Sequence, residues 1–423
     1  MNWLGVFFIY SLGIPFMVNV ATLNLPLYRI VLLIAFVPSV LAILTSRKIR
    51  FGVIEFLLIV HFIFVVMSLS VNHGVANIIE PSGSYFVECV AAFLLGKAAC
   101  QDKEQFLRIF RHVVYMLCLL LPFVMIQSFT GQNVLLDFAR SLFPIVAATI
   151  QDQRLGLFRA NVTFPHSILF GIFASFALSL VFLSYRKLKY LSVPVIGLST
   201  FFSLSTGALL VFVVQTIFLF WNRVLRRFPN RWWILFGAFL FTYVSIDVLS
   251  NRTPFHVFVD YLTLNSGSAY NRILIWHYGT AEVARHPFFG IAFNEWNNPE
   301  WMSDSMDNFW LLIAVRYGLP AFVFLFAAFV VLFWKACRRS FPDDPHLSNI
   351  RLGWCLSLLA FAIAGSTVHF FGSVFPLFLF LWGAGAWFYD RPLRKPQRVT
   401  PAAVSPSVSE AGLQTVQARA GSD

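Results

Sequence analysis

SAYNRILIW (residues 268–276), RHPFFGIAFNEW (285–296) and SMDNFWLLIAVRYGLP (305–320) lie together in the longest polar interruption of a very apolar sequence. The last piece predicts a short helix that ends at Gly318-Leu319-Pro320, followed by a helix with proline in its first turn. Asp307 and Asn308 then fall at the helix N-terminus, where such residues commonly cap the backbone. Polar and aromatic residues crowd a region that does not need them for membrane insertion. We therefore expect a functional site here, with the rest of the chain as its scaffold.

Composition places the whole chain in the membrane class. Of the 423 residues, 58% are hydrophobic and 12% are charged, whereas about a quarter of the residues of a soluble domain are charged. A spanning helix needs about 20 mainly apolar residues, so the sequence predicts an all-α polytopic membrane protein with about twelve transmembrane helices. The predicted spans are residues 3–20, 26–45, 51–70, 84–99, 106–127, 165–184, 189–204, 206–222, 232–249, 318–336, 351–368 and 372–389.

The distribution of basic residues predicts the orientation of these spans. Alternate threading puts SRKIR, KAACQDKE, YRKLK, NRVLRRFPNR, KACRRS and RPLRKPQR on one side, which the positive-inside rule makes cytoplasmic. Both termini then lie in the cytoplasm. The net charge of +12 reports orientation and contact with anionic lipids, and no nucleic-acid partner is expected.

The basic residues left for the outer side are all arginines: Arg29, Arg140, Arg154, Arg159, Arg252, Arg272, Arg285 and Arg316. A guanidinium group binds phosphate in a bidentate fork, whereas lysine acts as a point charge. The bias therefore favours a phosphate ligand. Pairing of these arginines with outer carboxylates is the alternative.

Two long outer segments are predicted to form a cap over the bundle. They are residues 128–164, which include the amphipathic piece NVLLDFARSLF, and residues 250–317. Loops of this length in a compact domain are usually functional or disordered, and these are too aromatic for disorder. The membrane domain is thus expected to cover residues 1–398, and residues 399–423 to form a disordered cytoplasmic tail.

Several of these motifs together resemble a known family. SAYNRILIW, HPFFGIAF and DNFWLLIAVRYGLPAF, in this order, resemble the central signature of the O-antigen ligase and O-antigen polymerase superfamily. RLGLFRANVTFPHSILFG (154–171) and FSLSTGALLVF (202–212) also resemble its segments. The resemblance implies a glycosyltransferase-C-like, metal-independent enzyme without cofactors. Such an enzyme acts on polyprenyl-diphosphate-linked glycans at the periplasmic face of the bacterial inner membrane.

The resemblance also suggests site residues. Arg272 matches the essential outer-loop arginine of the family, and Arg159, with Arg154 as the alternative, matches the arginine before the middle span. Asp307 stands where the ligases have a histidine, a departure that favours a polymerase of a surface polysaccharide or exopolysaccharide.

Glycan transfer from a lipid diphosphate needs charge stabilisation on the leaving group and a base for the acceptor hydroxyl. We assign Arg159 and Arg272 to the first role and Asp307 to the second; the competing reading of Asp307 is a helix cap. His166 is the competing base, and a structural role is its alternative.

Further residues are candidates for substrate binding. They could form hydrogen bonds to sugar or phosphate, or offer an apolar face to a sugar ring. The alternatives are backbone capping, an interfacial aromatic belt and snorkelling to lipid headgroups. These candidates are Arg154, His166, Asn271, Tyr270, Trp276, Asn308 and Arg29.

Three functions follow from these observations. The first is polymerisation of lipid-linked repeat units, and the second is ligation of a finished glycan to lipid A core. The third is a lipid-linked oligosaccharide transporter or flippase, which the number of spans also suits. The expected partners are a polyprenyl-diphosphate-linked glycan donor, a glycan acceptor and membrane lipids, with a chain-length regulator and export proteins as further candidates.

Overall fold

The computed structural model describes residues 1–20, 23–46, 49–148, 152–251, 253, 254, 257 and 266–390. The predicted tail at 399–423 and Arg252 lie outside these residues. The helices, in chain order, are Asn2–Ser11, Leu27–Thr45, Val53–His73, Ile79–Phe86, Ala92–Ala99, Lys103–Thr130, Val134–Leu142, Ser167–Ser175, Leu178–Ser184, Lys189–Phe202, Thr206–Val224, Arg231–Leu249, Ser266–Arg285, Phe309–Arg338, Pro345–Ala364, Val374–Ala384 and Ala386–Asp390.

The structure confirms an all-α polytopic membrane protein. Within the described residues, eight helical segments are long and apolar enough to cross a membrane, and Val374–Asp390 is a shorter apolar helix. Three further helical passages are also short or irregular: Asn2–Ser11, Lys189–Phe202, and Ile79–Phe86 continued through the π-helical turn Val87–Ala91 into Ala92–Ala99. The count of about twelve spans stays a prediction.

The first predicted span, residues 3–20, is wrong in its extent. The helix stops at Ser11, and Met17–Val20 pairs with Leu23–Pro26 as an antiparallel hairpin. Gly13 and Pro15 follow the helix end, and proline cannot continue the helical hydrogen-bond ladder. The hairpin is tied to the first outer segment, because Phe16 forms a β-bridge with Ile145.

The segments that connect the helices lie at two opposite ends of the bundle. At one, which we call the basic end, lie residues 46, 49–52, 99–103, 185–188, 225–230 and 339–344. Asn2 ties the N-terminus to it by donating from Nδ2 to the carbonyls of Ala99 and Gln105, each at 3.1 Å. At the other, the cap end, lie residues 131–148, 152–166 and 266–308. Of the arginines predicted for the outer side, Arg29 lies in the helix Leu27–Thr45 and Arg316 in the helix Phe309–Arg338. The others that the structure describes lie in the two cap-end segments: Arg140, Arg154, Arg159, Arg272 and Arg285.

At the basic end, a buried lysine ammonium group is paired with carboxylates. Lys97 is 1% exposed, and its ammonium donates to Glu55, to Asp390 at 2.9 Å and to the carbonyl of Arg50 at 2.6 Å. The Glu55 carboxylate also accepts from the Gly52 amide at 2.7 Å. Two carboxylates and a carbonyl thus satisfy one buried ammonium, as a buried charge requires.

The helix Val374–Ala384 lies in the centre of the bundle, and all of its residues are buried. It approaches Ala92–Ala99 closely enough that a Cβ on Gly383 would lie 1.9 Å from the Phe93 carbonyl oxygen. Such backbone contact through small residues is how membrane helices pack tightly. Phe378 and Trp382 extend the contact into an aromatic core with Phe309 and Phe361. This core fixes the N-terminus of the helix Phe309–Arg338, where the candidate site begins.

Candidate functional site

The predicted break at Gly318-Leu319-Pro320 is present in the helix Phe309–Arg338, which we call the broken helix. Gly318 has a φ of 84°, a backbone conformation that favours glycine. A Cβ there would also lie 2.2 Å from the Phe288 carbonyl oxygen. Asn308 caps the start of the helix, since its side-chain oxygen accepts from the Leu311 amide at 3.0 Å. The helix thus divides into a short outer part and a long inner part.

The segment HPFFGIA (286–292) satisfies the backbone groups that the break exposes. The amides of Ile291 and Ala292 donate to the carbonyls of Val315 and Arg316 at 3.0 and 2.7 Å, and the Leu319 amide donates to Pro287 at 2.7 Å. Buried backbone groups without a partner are costly, so the break and this segment stabilise each other. Two of the three motifs that define the site therefore form one structural unit.

Residues 365–373, which we call the connecting turn, join that unit to the helix Ser266–Arg285, the cap helix. The Phe309 amide donates to the carbonyls of Gly365 and Val368 at 2.7 and 3.1 Å. Arg272 of the cap helix donates from Nε to the Thr367 carbonyl at 3.1 Å. The turn thus brings Arg272 close to the start of the broken helix.

Arg272 and Asp307 lie within electrostatic reach of each other. Burial lowers the pKa of Arg272, an effect that Asp307 opposes and Arg154 reinforces. Burial raises the pKa of Asp307, whereas the Ser305 hydroxyl, which donates to its Oδ1 at 3.1 Å, and Arg272 both lower it. A partly dehydrated carboxylate beside a guanidinium group is suited to accept a proton from a hydroxyl group.

A cavity of about 380 Å³, the arginine cavity, opens beside the connecting turn. Its ionisable lining residues are Arg29, Glu80, Glu88, Arg316 and His369. Burial and the nearby Arg316 charge lower the pKa of His369 to about 4, so His369 is neutral at pH 7. The cavity therefore offers guanidinium groups and a neutral imidazole to a bound molecule.

The two arginines of this cavity are held differently. Arg29 donates from Nε to Glu88 at 2.8 Å and from a terminal nitrogen to the Asn24 carbonyl at 3.1 Å. Arg316 lies over the Phe293 ring, 5.2 Å from its centroid, and forms no salt bridge with a described residue. Arg29 is largely neutralised by its partner, whereas Arg316 keeps its charge available.

The first outer segment adds a second group of cations. Arg159 is 5% exposed, and its Nε has no hydrogen-bond partner among the described residues. Burial and Arg154 lower its pKa to about 10, against the effect of Asp152. Arg154 donates to the Leu204 carbonyl at 3.2 Å. Buried guanidinium groups that repel each other favour binding of an anion between them.

Arg159 does not line the arginine cavity. It lines a separate cavity of about 420 Å³ with Gln127, Asn161 and the Asp137–Arg140 ion pair. The prediction brought Arg159, Arg272 and Asp307 together; the structure brings Arg272 and Asp307 together and links Arg159 to them through the charge of Arg154.

His166 caps the following helix, because its Nδ1 accepts from the Ile168 amide at 3.1 Å. Burial, Arg159 and Arg154 lower its pKa to about 4. Its ring contacts Phe371 of the connecting turn, with centroids 6.4 Å apart. The structural role considered for His166 is therefore present.

The remaining candidates lie on the surface of the cap helix. Tyr270 and Trp276 are 59% and 45% exposed, and Asn271 is half-buried. Trp310, by contrast, packs into the aromatic core and donates to the Ala362 carbonyl at 2.9 Å. It is not available to stack on a sugar.

Sequence reasoning assigned no role to Arg316, His369 or Glu88. Arg316 was recognised as an outer arginine, and its position two residues before a helix break was a usable signal. Glu88 falls within the predicted span 84–99, where a carboxylate is costly and is therefore also a usable signal. A single histidine such as His369 carries no comparable signal, because only the connecting turn places it beside Arg316.

Within the part of the chain that the structure describes, no three His, Cys, Asp or Glu side chains are grouped to hold a metal ion. The free cysteines in these segments are Cys89, Cys100, Cys118, Cys337 and Cys355.

Comparison with known families supports the resemblance seen in the motifs. A family model described as O-antigen ligase matches residues 191–326. The match includes Arg272, Asp307, Arg316 and Gly318, and ends before the connecting turn. No curated protein matches the chain. The family implies a glycosyltransferase-like polymerase or ligase that uses lipid-linked glycans. The chain is therefore similar, over residues 191–326 of its 423, to the O-antigen ligase family.

Proposed function

We propose that this chain polymerises polyprenyl-diphosphate-linked oligosaccharide repeat units into a surface polysaccharide or exopolysaccharide. The reaction would take place at the periplasmic face of the inner membrane. The observation that carries the proposal is the electrostatic interaction of Arg272 with Asp307, two residues before Phe309, which lines a cavity with Arg316 and Arg29. The site thus combines a base with guanidinium groups for an anionic leaving group.

An apolar groove next to the arginine cavity supports a lipid-linked donor. The groove has a volume of about 730 Å³, and its apolar lining includes Leu25, Leu33 and Phe86. It shares Arg29, Glu80 and Ser84 with the arginine cavity. A polyprenyl chain in the groove would therefore present its diphosphate to the arginines.

In the proposed reaction, a hydroxyl oxygen of the acceptor sugar attacks the anomeric carbon of the donor glycan. The bond from that carbon to the phosphate oxygen breaks, and the polyprenyl diphosphate leaves with its electron pair. Asp307 accepts the proton of the hydroxyl group. Arg272 and Arg316 stabilise the diphosphate charge through hydrogen bonds that need no metal ion. Arg159 and Arg154 add positive potential from the first outer segment.

The description of the matched family favours a second candidate, ligation of a finished glycan to an acceptor such as lipid A core. Both functions use the same donor and leaving group. They differ in the acceptor, which is another lipid-linked unit in the first and a different molecule in the second.

Purified protein in vesicles that contain lipid-linked repeat units alone tests the proposal. We expect glycans of increasing length, and Arg272→Ala should leave the units unjoined. Product that appears only after addition of lipid A core would establish the ligase. Movement of units between leaflets without a new glycosidic bond would establish a flippase and overturn both.

EDTA tests the metal independence of the proposed reaction. We expect an unchanged rate of glycan transfer after chelation, because the charge on the leaving group is met by guanidinium groups. Restoration of a lost rate by one divalent cation would contradict this.

A further inference from the structure

A second polar cavity lies at the cap end, between residues 282–304 and Asn72 at the end of the helix Val53–His73. It has a volume of about 460 Å³. Carboxylate and carboxamide side chains dominate its lining, and we call it the acid–amide cavity. These side chains are Glu282, Glu295, Glu300, Asp304, Asn72, Asn294, Asn297 and Asn298.

Most of the negative charge in this cavity is uncompensated. Glu282 is paired with Arg285 at 2.8 Å and accepts from the Asn297 amide at 3.3 Å. Glu295 and Glu300 are exposed and form no salt bridge with a described residue. Asp304 accepts a hydrogen bond from Asn298 at 3.3 Å. The cavity thus combines hydrogen-bonding groups with a net negative potential.

A small cavity of about 110 Å³ lies between this site and the arginine cavity and has lining residues in common with both. It shares Leu312, Arg316 and His369 with the arginine cavity. With the acid–amide cavity it shares a further set of wall residues: Ile291, Asn294, Trp296 and Asp304. Ser305, the hydrogen-bond partner of Asp307, also lines it. The small cavity therefore lies next to the hydrogen-bond partner of the proposed base.

The polarity of the three main cavities changes in the same order as the polarity of the parts of a lipid-linked glycan. The apolar groove comes first, the arginine cavity second and the acid–amide cavity last. A polyprenyl chain, a diphosphate and a glycan match these surfaces in sequence. Sugar hydroxyl groups both donate and accept hydrogen bonds, and carboxylate and carboxamide groups are complementary to them.

The charge of the last cavity restricts which glycan fits. Several carboxylates within one cavity repel an anionic ligand, and because Glu295 and Glu300 are exposed, the repulsion is greatest at low ionic strength. Neutral hydroxyl groups and ammonium groups meet no such penalty. A divalent cation is the other ligand that carboxylates attract, but the described residues contain no group arranged to hold a metal ion.

Resting on the function proposed above, we propose that the acid–amide cavity is a glycan subsite that accepts uncharged or amino sugars and rejects uronic acids. The sugar bound there belongs to the same lipid-linked substrate whose diphosphate occupies the arginine cavity. Substrate selection by charge would then reside in the segment between Glu282 and Asp304.

The test uses full-length protein in vesicles and native lipid-linked units, before and after oxidation of their primary alcohols to carboxylates. The stereochemistry of the sugars is the same in both samples. We expect the oxidised units to show a KM at least about tenfold higher at low salt, and we expect the difference to shrink as ionic strength rises. In Glu295→Gln/Glu300→Gln protein the discrimination should fall, whereas Glu104→Gln at the basic end should retain it.

A second variant keeps the charge and removes hydrogen bonds. Asn294→Ala/Asn297→Ala should raise KM for native units roughly three- to tenfold, the effect of one or two lost hydrogen bonds, with kcat nearly unchanged. Equal KM values for native and oxidised units, or uronic acids in the native repeat unit, would overturn the proposal. So would a rate that depends on added Ca²⁺ through Glu295 and Glu300. Joining of both kinds of unit at equal rates refutes only the subsite, whereas absence of any glycosidic product refutes the proposed function.

Discussion

The two ends of the bundle bury cations in opposite ways. At the basic end, the Lys97 ammonium is compensated by Glu55 and Asp390. At the cap end, the Arg159 guanidinium is also almost fully buried, but its Nε has no partner among the described residues. Burial of a charge is costly unless it is paired. The difference teaches that Lys97 at the basic end uses its charge to hold helices together, whereas Arg159 at the cap end keeps its positive charge for an anion.

The largest effect expected at the cap end concerns the proposed base. Asp307→Asn keeps the size of the side chain but removes its basicity, and we expect kcat for glycan transfer to fall about 10²–10⁴-fold. His166→Asn is the matched comparison, because asparagine retains the helix cap. A full loss of rate in His166→Asn with activity retained in Asp307→Asn would move the base to His166.

Arg272→Ala should lower the rate about 10²–10³-fold, the usual effect of losing one preorganised donor to a developing charge. Arg272→Lys should recover little, because lysine does not reproduce the planar fork. In cells, lipid-linked units should accumulate on the outer leaflet. Arg338→Ala at the basic end serves as the control, and units retained on the inner leaflet would contradict the proposed role.

At the basic end, removal of the Lys97 charge should lower the stability of the fold and leave the rate of glycan transfer unchanged. Lys97→Met leaves Glu55 and Asp390 without their cation, and we expect the free energy of unfolding to fall by about 3–5 kcal/mol. Thermal unfolding in detergent measures the change. Adding Glu55→Gln to the same protein should restore part of the loss, since a buried neutral pair replaces an unpaired carboxylate.

The smallest expected effect concerns how the rate of glycan transfer falls at low pH, the acid limb of its pH profile. Burial raises the pKa of Asp307, and the Ser305 hydroxyl opposes the shift. A base is active only when ionised, so the rate should fall as the pH drops through this raised pKa. Ser305→Ala removes a donor to the carboxylate, and the limb should move to higher pH. A limb that stays in place would exclude Asp307 as the titrating group.

Periodic and compositional signals predicted the scaffold well. Long apolar runs indicated the helices, and Gly318-Leu319-Pro320 indicated the break that the structure contains. The end of the first helix at Ser11 was missed, because the hairpin after it is as apolar as a span and is stabilised by pairing with Ile145. Local sequence carries no information about that distant partner.

The site was predicted in part for the same reason. Arg272, Asp307 and Asn308 sit in motifs with a recognisable order, so sequence reasoning could select them. Arg316 and His369 meet only because the connecting turn returns to the broken helix. Arg159 lines a different cavity from Arg316 and His369, and this too depends on how the first outer segment folds.

The most direct test of the account compares two variants in one assay of glycan transfer per folded molecule. Arg272→Ala and Lys97→Met proteins are reconstituted in vesicles with lipid-linked repeat units, and both glycan length and released polyprenyl diphosphate are measured. The account predicts that Arg272→Ala is folded but releases almost no diphosphate, whereas Lys97→Met is less stable but retains the wild-type rate. Equal loss of rate in both variants, or normal release of diphosphate by Arg272→Ala, would contradict it.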